Sequence, residues 1–323
     1  MLLFAVRRLS WMCVVLFVIT ALVFTIFFLT PAVDPAVALA GKNPDPATVQ
    51  QIRKNFGLDR PVPVQYATMM ERLFISRDLT SYSNQGQRVV PRIVAGMPVT
   101  LSLAAGAIVI WLLASFIFAV LGAVFRGRLV DHVILIISLV FVSVPVYWLG
   151  QMANLVTQER FHHSLAFSWV PPPGYALMSS GLWNWASHLI VPWCVLAAFY
   201  VGWYARVLRA NLIETDSEQF IRTARSKGIP EWRVMLHHNL RTSLLTYVSL
   251  FGLDLGLLLG GGALLVEVVF GLPGVGMLTY QALTGLDLPT IMATVTYAAV
   301  VVVVASALVD LSYAWLDPRI RLR

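Results

Sequence analysis

Six apolar runs, each long enough to cross a lipid bilayer, constrain this 323-residue chain more than any other feature. They cover approximately residues 9–30, 99–125, 133–157, 185–205, 242–266 and 290–316. Crossing a bilayer takes about 20 apolar residues in helical form. Inside lipid every backbone N–H and C=O must be satisfied within its own segment, which selects helices over irregular chain. A β-barrel would show short alternating segments, and none is present. The expected fold class is therefore all-α and polytopic, with six transmembrane helices. The first three runs hold no charged residue; the fourth holds His188, the fifth Asp254 and the sixth Asp310. Only 12% of residues are charged, against roughly a quarter in a soluble domain, which sets aside the two soluble domains that length alone suggests.

The first run resembles a secretory signal, because it follows Arg7-Arg8 and precedes Ala38-Leu39-Ala40. It is longer than the roughly 7–15 apolar residues of a signal core, and the Ala-x-Ala lies well beyond it, past Pro31 and Pro35. It is expected to stay as a true span. Six spans put both termini and the loops 126–132 and 206–241 on one side. That side carries fourteen of the 23 Lys and Arg: Arg7, Arg8, Arg126, Arg128, seven within 206–241, and Arg319, Arg321 and Arg323. The loops 158–184 and 267–289 carry Arg160 alone. This positive-inside bias predicts that both termini are cytoplasmic. The loop 31–98 has eight more basic residues, but long loops translocate largely regardless of charge. Orientation thus accounts for the formal charge of +7 without nucleic acid as a partner.

Cys13 and Cys194 lie inside predicted spans, where a thiol behaves as a small hydrophobe. The adjacent pairs His162-His163 and His237-His238 have no third ligand nearby, and no CxxC occurs, so no metal site is expected.

The polar outer loop 31–98 predicts helices over 46–55 and 62–77 and irregular chain over 78–92. It is either a small solvated cap or a platform for docking or gating. The inner loop 206–241 says more. Thr215-Asp216-Ser217-Glu218 has capping-box spacing, so a helix should start there and run through Lys227. Gly228 suits a left-handed stop, and Pro230 suits the first turn of a second helix, Glu231 to about Arg241. Arg222 and Arg225 share a face at i,i+3, and the small Ala224, Ser226 and Gly228 would let another backbone approach. An interfacial helix touching lipid headgroups accounts for the same pattern.

The stretch Phe220-Ile221-Arg222-Thr223-Ala224-Arg225-Ser226-Lys227-Gly228, then His238-Asn239-Leu240-Arg241, resembles the ATPase-coupling loop of ABC importer permeases. More narrowly, it is similar to the B-type permease of the dipeptide/oligopeptide/nickel group, whose loop reads approximately RTARAKG and then HALRN. The general importer motif has Glu-Ala-Ala before the glycine and Ile-x-Leu-Pro later. Arg222-Thr223-Ala224 and His238-Asn239-Leu240-Arg241 stand in those places, departures that the peptide group shares. The likeness continues along the chain. Asn55 to Pro61 with Gln65-Tyr66 resembles a GLDxPxxxQY outer-loop signature. Arg126-Gly127, Asp131 and Ser143 to Gly150 resemble the family's second inner loop and third span. Glu267-Val268-Val269-Phe270, Pro273-Gly274 and Gly276 resemble its turn after span five, and Leu316 to Ile320 its ending. Asp78-Leu79-Thr80 departs from the family's Gly-Asp-Leu-Gly.

The resemblance implies a type I ABC importer permease fold with a cytoplasmic coupling helix. Residues 1–98 would be the first transmembrane helix and an extracytoplasmic loop, and 99–323 a core of five transmembrane helices with the coupling loop 206–241. It implies half of a translocation pathway, paired with a C-type permease subunit, two cytoplasmic ATPase subunits (identical or not) and an extracytoplasmic substrate-binding protein. ATP and Mg would sit on the ATPase partners; this chain needs no cofactor and is not itself an enzyme. Gly271 to Gly276 lacks the Gly-Lys-Ser/Thr of a nucleotide-binding loop. Coupling would fall to Glu218, Arg222, Thr223, Ala224, Arg225, Lys227, Gly228, His238 and Arg241, with Arg222, Ala224 and Gly228 on the contact face. The cargo would be a dipeptide or oligopeptide, with nickel chelates or haem-like compounds as alternatives within the group. Asp254, Glu267 and Asp310 are candidate pathway or structural polar residues; Asp254 is expected to pair with the partner permease or line the pore. A proton-coupled secondary transporter through Asp254 is the competing class, but proton relays use chains of such residues and only Asp254 lies near a span centre. No catalytic constellation for a membrane hydrolase is present.

Overall fold

The computed structural model describes residues 2–26, 36–37, 45–84 and 86–316. Among them the ordered elements are helices, with one isolated antiparallel bridge between Thr80 and Arg88. The helices are α1 Leu2–Phe24, α2 Pro46–Phe56, α3 Val62–Phe74, α4 Val89–Val124, α5 Leu129–Ser143, α6 Val146–Asn154, α7 Leu182–Asp216, α8 Gln219–Ser226, α9 Glu231–Arg233, α10 Leu240–Leu257, α11 Leu264–Val269, α12 Val275–Thr284 and α13 Leu288–Leu316. Single π turns, Leu155–Arg160, Val234–Asn239 and Leu258–Gly262, follow α6, α9 and α10.

Three helices among the described residues are long and apolar enough to cross a bilayer unbroken: α4, α7 and Leu288–Ala307 of α13. The number rises to five if each of two bent pairs counts as one span. The run 133–157, expected as a single helix, is bent by 103° between Leu129–Ser143 and Val146–Gln158. Pro145 is the cause. A proline disfavours helical geometry at the residue before it, and Val144 is extended at φ −86° and ψ 125°. Ser10–Phe24 forms a shorter apolar helix, and residues 27–30 of the first run lie outside the described residues. Two helices outrun their apolar stretches. α4 begins at Val89, within the segment read as irregular, and α7 continues to Asp216. Apolarity marks only the part of a helix that faces lipid.

The chain divides into two compact units. The first comprises Met1–Thr100, Leu259–Leu264 and Pro273–Arg323. Its core joins Val23 and Phe24 of α1, Met69 and Leu73 of α3, Val89 and Ile93 of α4, Leu278 of α12 and Met292 of α13. Tyr66 fixes α3 against α1: its ring meets the edges of Phe17 and Phe24, and its hydroxyl lies 2.7 Å from that of Thr20. The loop between α3 and α4 is held by Asp287, whose buried carboxylate accepts from the Ser81 hydroxyl (2.5 Å), the Tyr82 N–H (2.8 Å) and the Thr290 hydroxyl (2.6 Å).

The second unit comprises Leu101–Leu258 and Leu265–Leu272. In lipid, helices associate through close packing rather than through release of water, which places small residues at crossings. At the crossing of α5 and α7, a Cβ on Gly202 would collide with the Ser138 carbonyl and press on Phe141 and Val142. Gly106 likewise accepts the Trp193 ring. Trp111, fully buried, stacks on Tyr200 at 4.3 Å and meets Tyr204 edge-on at 4.6 Å, and Tyr204 in turn meets Tyr247 at 5.1 Å.

Candidate functional site

The polar segment after α7 turns twice within a few residues. α7 ends at Asp216, Ser217 closes the turn, and α8 starts at Gln219 with Glu218 as its extended N-cap, φ −68° and ψ 150°. The capping box expected from Thr215 and Glu218 does not form, and no side chain caps α8. Thr215 instead belongs to the last turn of α7, where it is buried and its hydroxyl accepts from Ser243 at 3.2 Å. The continuous helical propensity of α7 outcompeted the local capping signal. The stop is as the sequence predicts: Gly228 has φ +75°, and the Gly228 and Ile229 N–H groups bond the Arg225 and Ala224 carbonyls. Pro230 then opens α9, with Val234 N–H returning to the Pro230 carbonyl.

Three features make this bend rigid. Ile221, Ala224 and Val234 form a small buried cluster, with Ile229 packed against it. The Arg225 guanidinium bridges both ends of the loop: Nε and Nη2 donate to Glu231 at 2.7 and 3.2 Å, and Nη2 donates to Asp216 at 2.7 Å. These two carboxylates, Glu231 first, push the Arg225 pKa above the usual guanidinium value. Finally, Asn239 is 1% exposed, its Nδ2 donates to the Leu212 carbonyl at 3.0 Å, and its Oδ1 accepts from Ser243 at 3.2 Å. The preceding turn, 126–128, is anchored to the same helix. Arg209 of α7 grips buried Asp131 through Nε (2.6 Å) and Nη2 (2.7 Å), while the Gly127 N–H donates to Asp131 Oδ2 at 2.9 Å.

This geometry sorts the sequence-predicted residues. Glu218, Arg222, Thr223, Lys227, Gly228 and Arg241 are exposed, and His238 is half-buried. Ala224 was expected on an outward contact face with Arg222 and Gly228, but it is turned inward and is only 6% exposed. Arg225, expected to face outward with Arg222, is occupied by two acids of its own chain. The outward apolar residues are ones that the motif reading did not weigh: Phe220, Trp232 and Leu236, 44%, 58% and 49% exposed. Asn239, Asp216 and Glu231 were also missed as anchors. An Asp in the polar stretch beyond the apolar run 185–205 and a Glu just after a proline were the only signals.

The membrane carboxylates separate too. Asp254 on α10 accepts from the Tyr204 hydroxyl of α7 at 2.6 Å, so a partner within this chain meets it. Glu267 is fully buried on α11. Asp310 lies on α13, and its side chain is outside the described residues, as is the ending 317–323.

Known proteins match this arrangement along nearly its whole length. A family model described as "Binding-protein-dependent transport system inner membrane component" matches residues 112–322, and the model for that family's membrane-component N-terminal region matches residues 1–104. A Brucella abortus (strain 2308) protein, provisionally named a peptide transport system permease, is 34% identical over 98% of both chains. An Escherichia coli K12 protein, provisionally named the D,D-dipeptide transport system permease protein DdpB, is 35% identical, covering 95% of this chain and 92% of its own. The Bacillus subtilis (strain 168) oligopeptide transport system permease protein AppB is 31% identical over 98% of both. A bent polar loop joining two apolar helices, the ordered motifs around it and these full-length matches agree: the chain belongs to the binding-protein-dependent transport system inner membrane components, the permeases of ABC importers.

Proposed function

We propose that this chain is the B-type permease of an ATP-driven importer of dipeptides or oligopeptides. It forms half of the pathway, with a C-type permease as the other half. The carrying observation is the near-full-length likeness to permeases named for peptide, D,D-dipeptide and oligopeptide transport. Six spans, with α1 and the two bent pairs each counted once, and both ends in the cytoplasm fit the basic-residue bias. Cysteines placed at 85 or 175 should then be labelled from outside, and those at 128 or 225 should not.

The loop 206–241 supplies the coupling. A partner ATPase can move the helices only through an element stiff enough to transmit displacement. The inward cluster of Ile221, Ala224 and Val234 and the Arg225 bridge support that stiffness. The exposed Phe220, Arg222, Thr223 and Lys227 are available for contact. Two cytoplasmic ATPase subunits carry ATP and Mg, and an extracytoplasmic binding protein delivers the cargo. The test is purification of the assembled complex and peptide uptake in sealed vesicles. Uptake should require ATP, both permeases, the ATPases and the binding protein. Uptake driven by a proton gradient alone, or ATP hydrolysis by this chain unaided, would refute the reading.

A further inference from the structure

The outer-loop signature around Gly57 builds something that the transport reading above does not use. Gly57, at φ +68°, reverses the chain after α2, and Gln65 of α3 donates to the Leu58 and Arg60 carbonyls at 3.2 and 2.7 Å. Arg60 folds back so closely that a Cβ on Gly57 would lie 3.7 Å from Arg60 Cδ. The result is a cavity of about 90 Å³ whose lining includes Lys54, Arg60, Gln65, Thr68, Arg72 and Tyr82. Three cationic residues line it, and no carboxylate is among the lining residues. Lys54, Arg60 and Arg72 form no ion pair among the described residues, although Arg72 helps to hold the exposed Asp78 carboxyl below its usual range, after the Ser76 hydroxyl. A simpler account is that Lys54 and Arg72 each sit in the last turn of a helix, where its dipole favours a cation. It explains each placement singly. It does not explain why both line one cavity, or why Arg60, which lies on no helix, joins them.

We propose that this cavity is a docking socket for an acidic side chain of the extracytoplasmic binding protein. The inference rests on the importer reading and adds to it where, and through which charge, that partner is recognised. Size decides the occupant. Sites that enclose a whole small ligand span roughly 300–1,000 Å³. At about 90 Å³ this one is well below that range, room for a carboxylate head rather than for a whole dipeptide. The carboxylate therefore arrives at the tip of a side chain. Rim charges of this kind act on encounter and on salt dependence more than on the bound state.

The test uses the complete transporter in nanodiscs with its peptide-loaded binding protein, and reads ATPase rate against binding-protein concentration. The triple variant Lys54→Gln, Arg60→Gln, Arg72→Gln should raise KM for the binding protein about tenfold and flatten its salt dependence, while kcat at saturation holds. The charge-preserving triple Lys54→Arg, Arg60→Lys, Arg72→Lys should stay within about twofold of the original KM, because the recognition is of charge. Sodium acetate at constant ionic strength should compete in the unaltered transporter and not in the Gln variant. A KM unchanged in the Gln variant overturns the socket, as does an equal rise in both triples, which would mean shape rather than charge. If the Gln triple does not assemble, Arg60→Gln alone decides, and an unchanged KM again overturns it. An unaltered transporter whose ATPase ignores the loaded binding protein refutes the importer reading itself, an outcome distinct from all of these.

Discussion

Replacing Ala224 by Glu separates the inner face of α8 from the outer one. Ala224 is 6% exposed and packs with Ile221 and Val234, which are 0% and 1% exposed. A carboxylate turned into that cluster meets apolar side chains, and the adjacent Arg225 is already engaged by Asp216 and Glu231. Leaving a buried polar group unsatisfied costs about 1–3 kcal/mol, and forcing extra atoms into packed space costs about 1–3 kcal/mol more. Against that, burying an Ile or Val contributes about 1.5–3 kcal/mol each, so the substitution removes most of what the cluster supplies. Ala224→Glu should therefore open the loop itself, while Phe220→Ala, on the outward face, should leave it closed and weaken only ATPase docking. Both can be read in vesicles holding the two permeases without ATPases, by trypsin cleavage after Arg222, Arg225 and Lys227. ATPase recovery is then measured separately. Ala224→Glu should be cut fast and Phe220→Ala at the unaltered rate, with recovery reduced in both. If Ala224→Glu resists trypsin like the unaltered chain and loses only docking, the inward packing of α8 is wrong.

Arg209→Ala should cost about 3–5 kcal/mol, because it strands the buried Asp131 carboxylate, and should be visible as a lowered Tm in detergent. The pair Arg209→Gln with Asp131→Asn should recover part of that loss. Asp287→Ala leaves the buried Tyr82 N–H without its acceptor, at about 1–3 kcal/mol, and should raise hydrogen exchange over 79–84 while leaving the loop 206–241 unchanged. Gly228→Ala meets open space but must hold φ +75°, so it should cost about 1–2 kcal/mol and no more, measured as the same trypsin sensitivity at a lower urea concentration. Gly202→Val should prevent α5 and α7 from closing and reduce the yield of folded chain, because its Cβ collides with backbone that cannot rotate away.

Much of this was legible in residue order. Long apolar runs place α4, α7 and α13 because lipid leaves the backbone no alternative to helix, and Gly228-Ile229-Pro230 states both the end of one helix and the start of the next. Three things were not legible. The bend at Pro145 sits inside an unbroken apolar run, and hydropathy averages over it. The inward turn of Ala224 depends on Val234, ten positions later, arriving beneath α8, which no local periodicity encodes. Arg225 reads as a free cation on an i,i+3 face until Asp216 and Glu231 are brought to either side by the two turns. The carboxylate of Asp287 is the same case at longer range, since its partners Ser81 and Tyr82 are some two hundred positions away. Sequence spacing reports neighbours along a helix, whereas these anchors are neighbours across turns.

The anchors also determine what a displacement of the loop 206–241 can reach. Asn239 and Ser243 tie the start of α10 to the end of α7 through the Leu212 carbonyl and Thr215. Arg209, two turns back along α7, ties the 126–128 turn and α5 to the same helix through Asp131. A push on α8 thus passes through its own apolar cluster and the Arg225 bridge, and beyond them meets these buried polar contacts. Those contacts are directional and hold fixed lengths, whereas apolar faces can slide. On the coupling reading, α7 is the member that receives the motion, and α5 and α10 follow it because each is bonded to it near its inner end. Tyr204 and Asp254 add a further tie between α7 and α10 deeper in the spans. Tyr204→Phe tests that order. It removes the deep tie and keeps the ring, so ATPase docking should persist while peptide moved per ATP falls. Equal loss of docking and transport would mean that the deep tie merely holds the fold together.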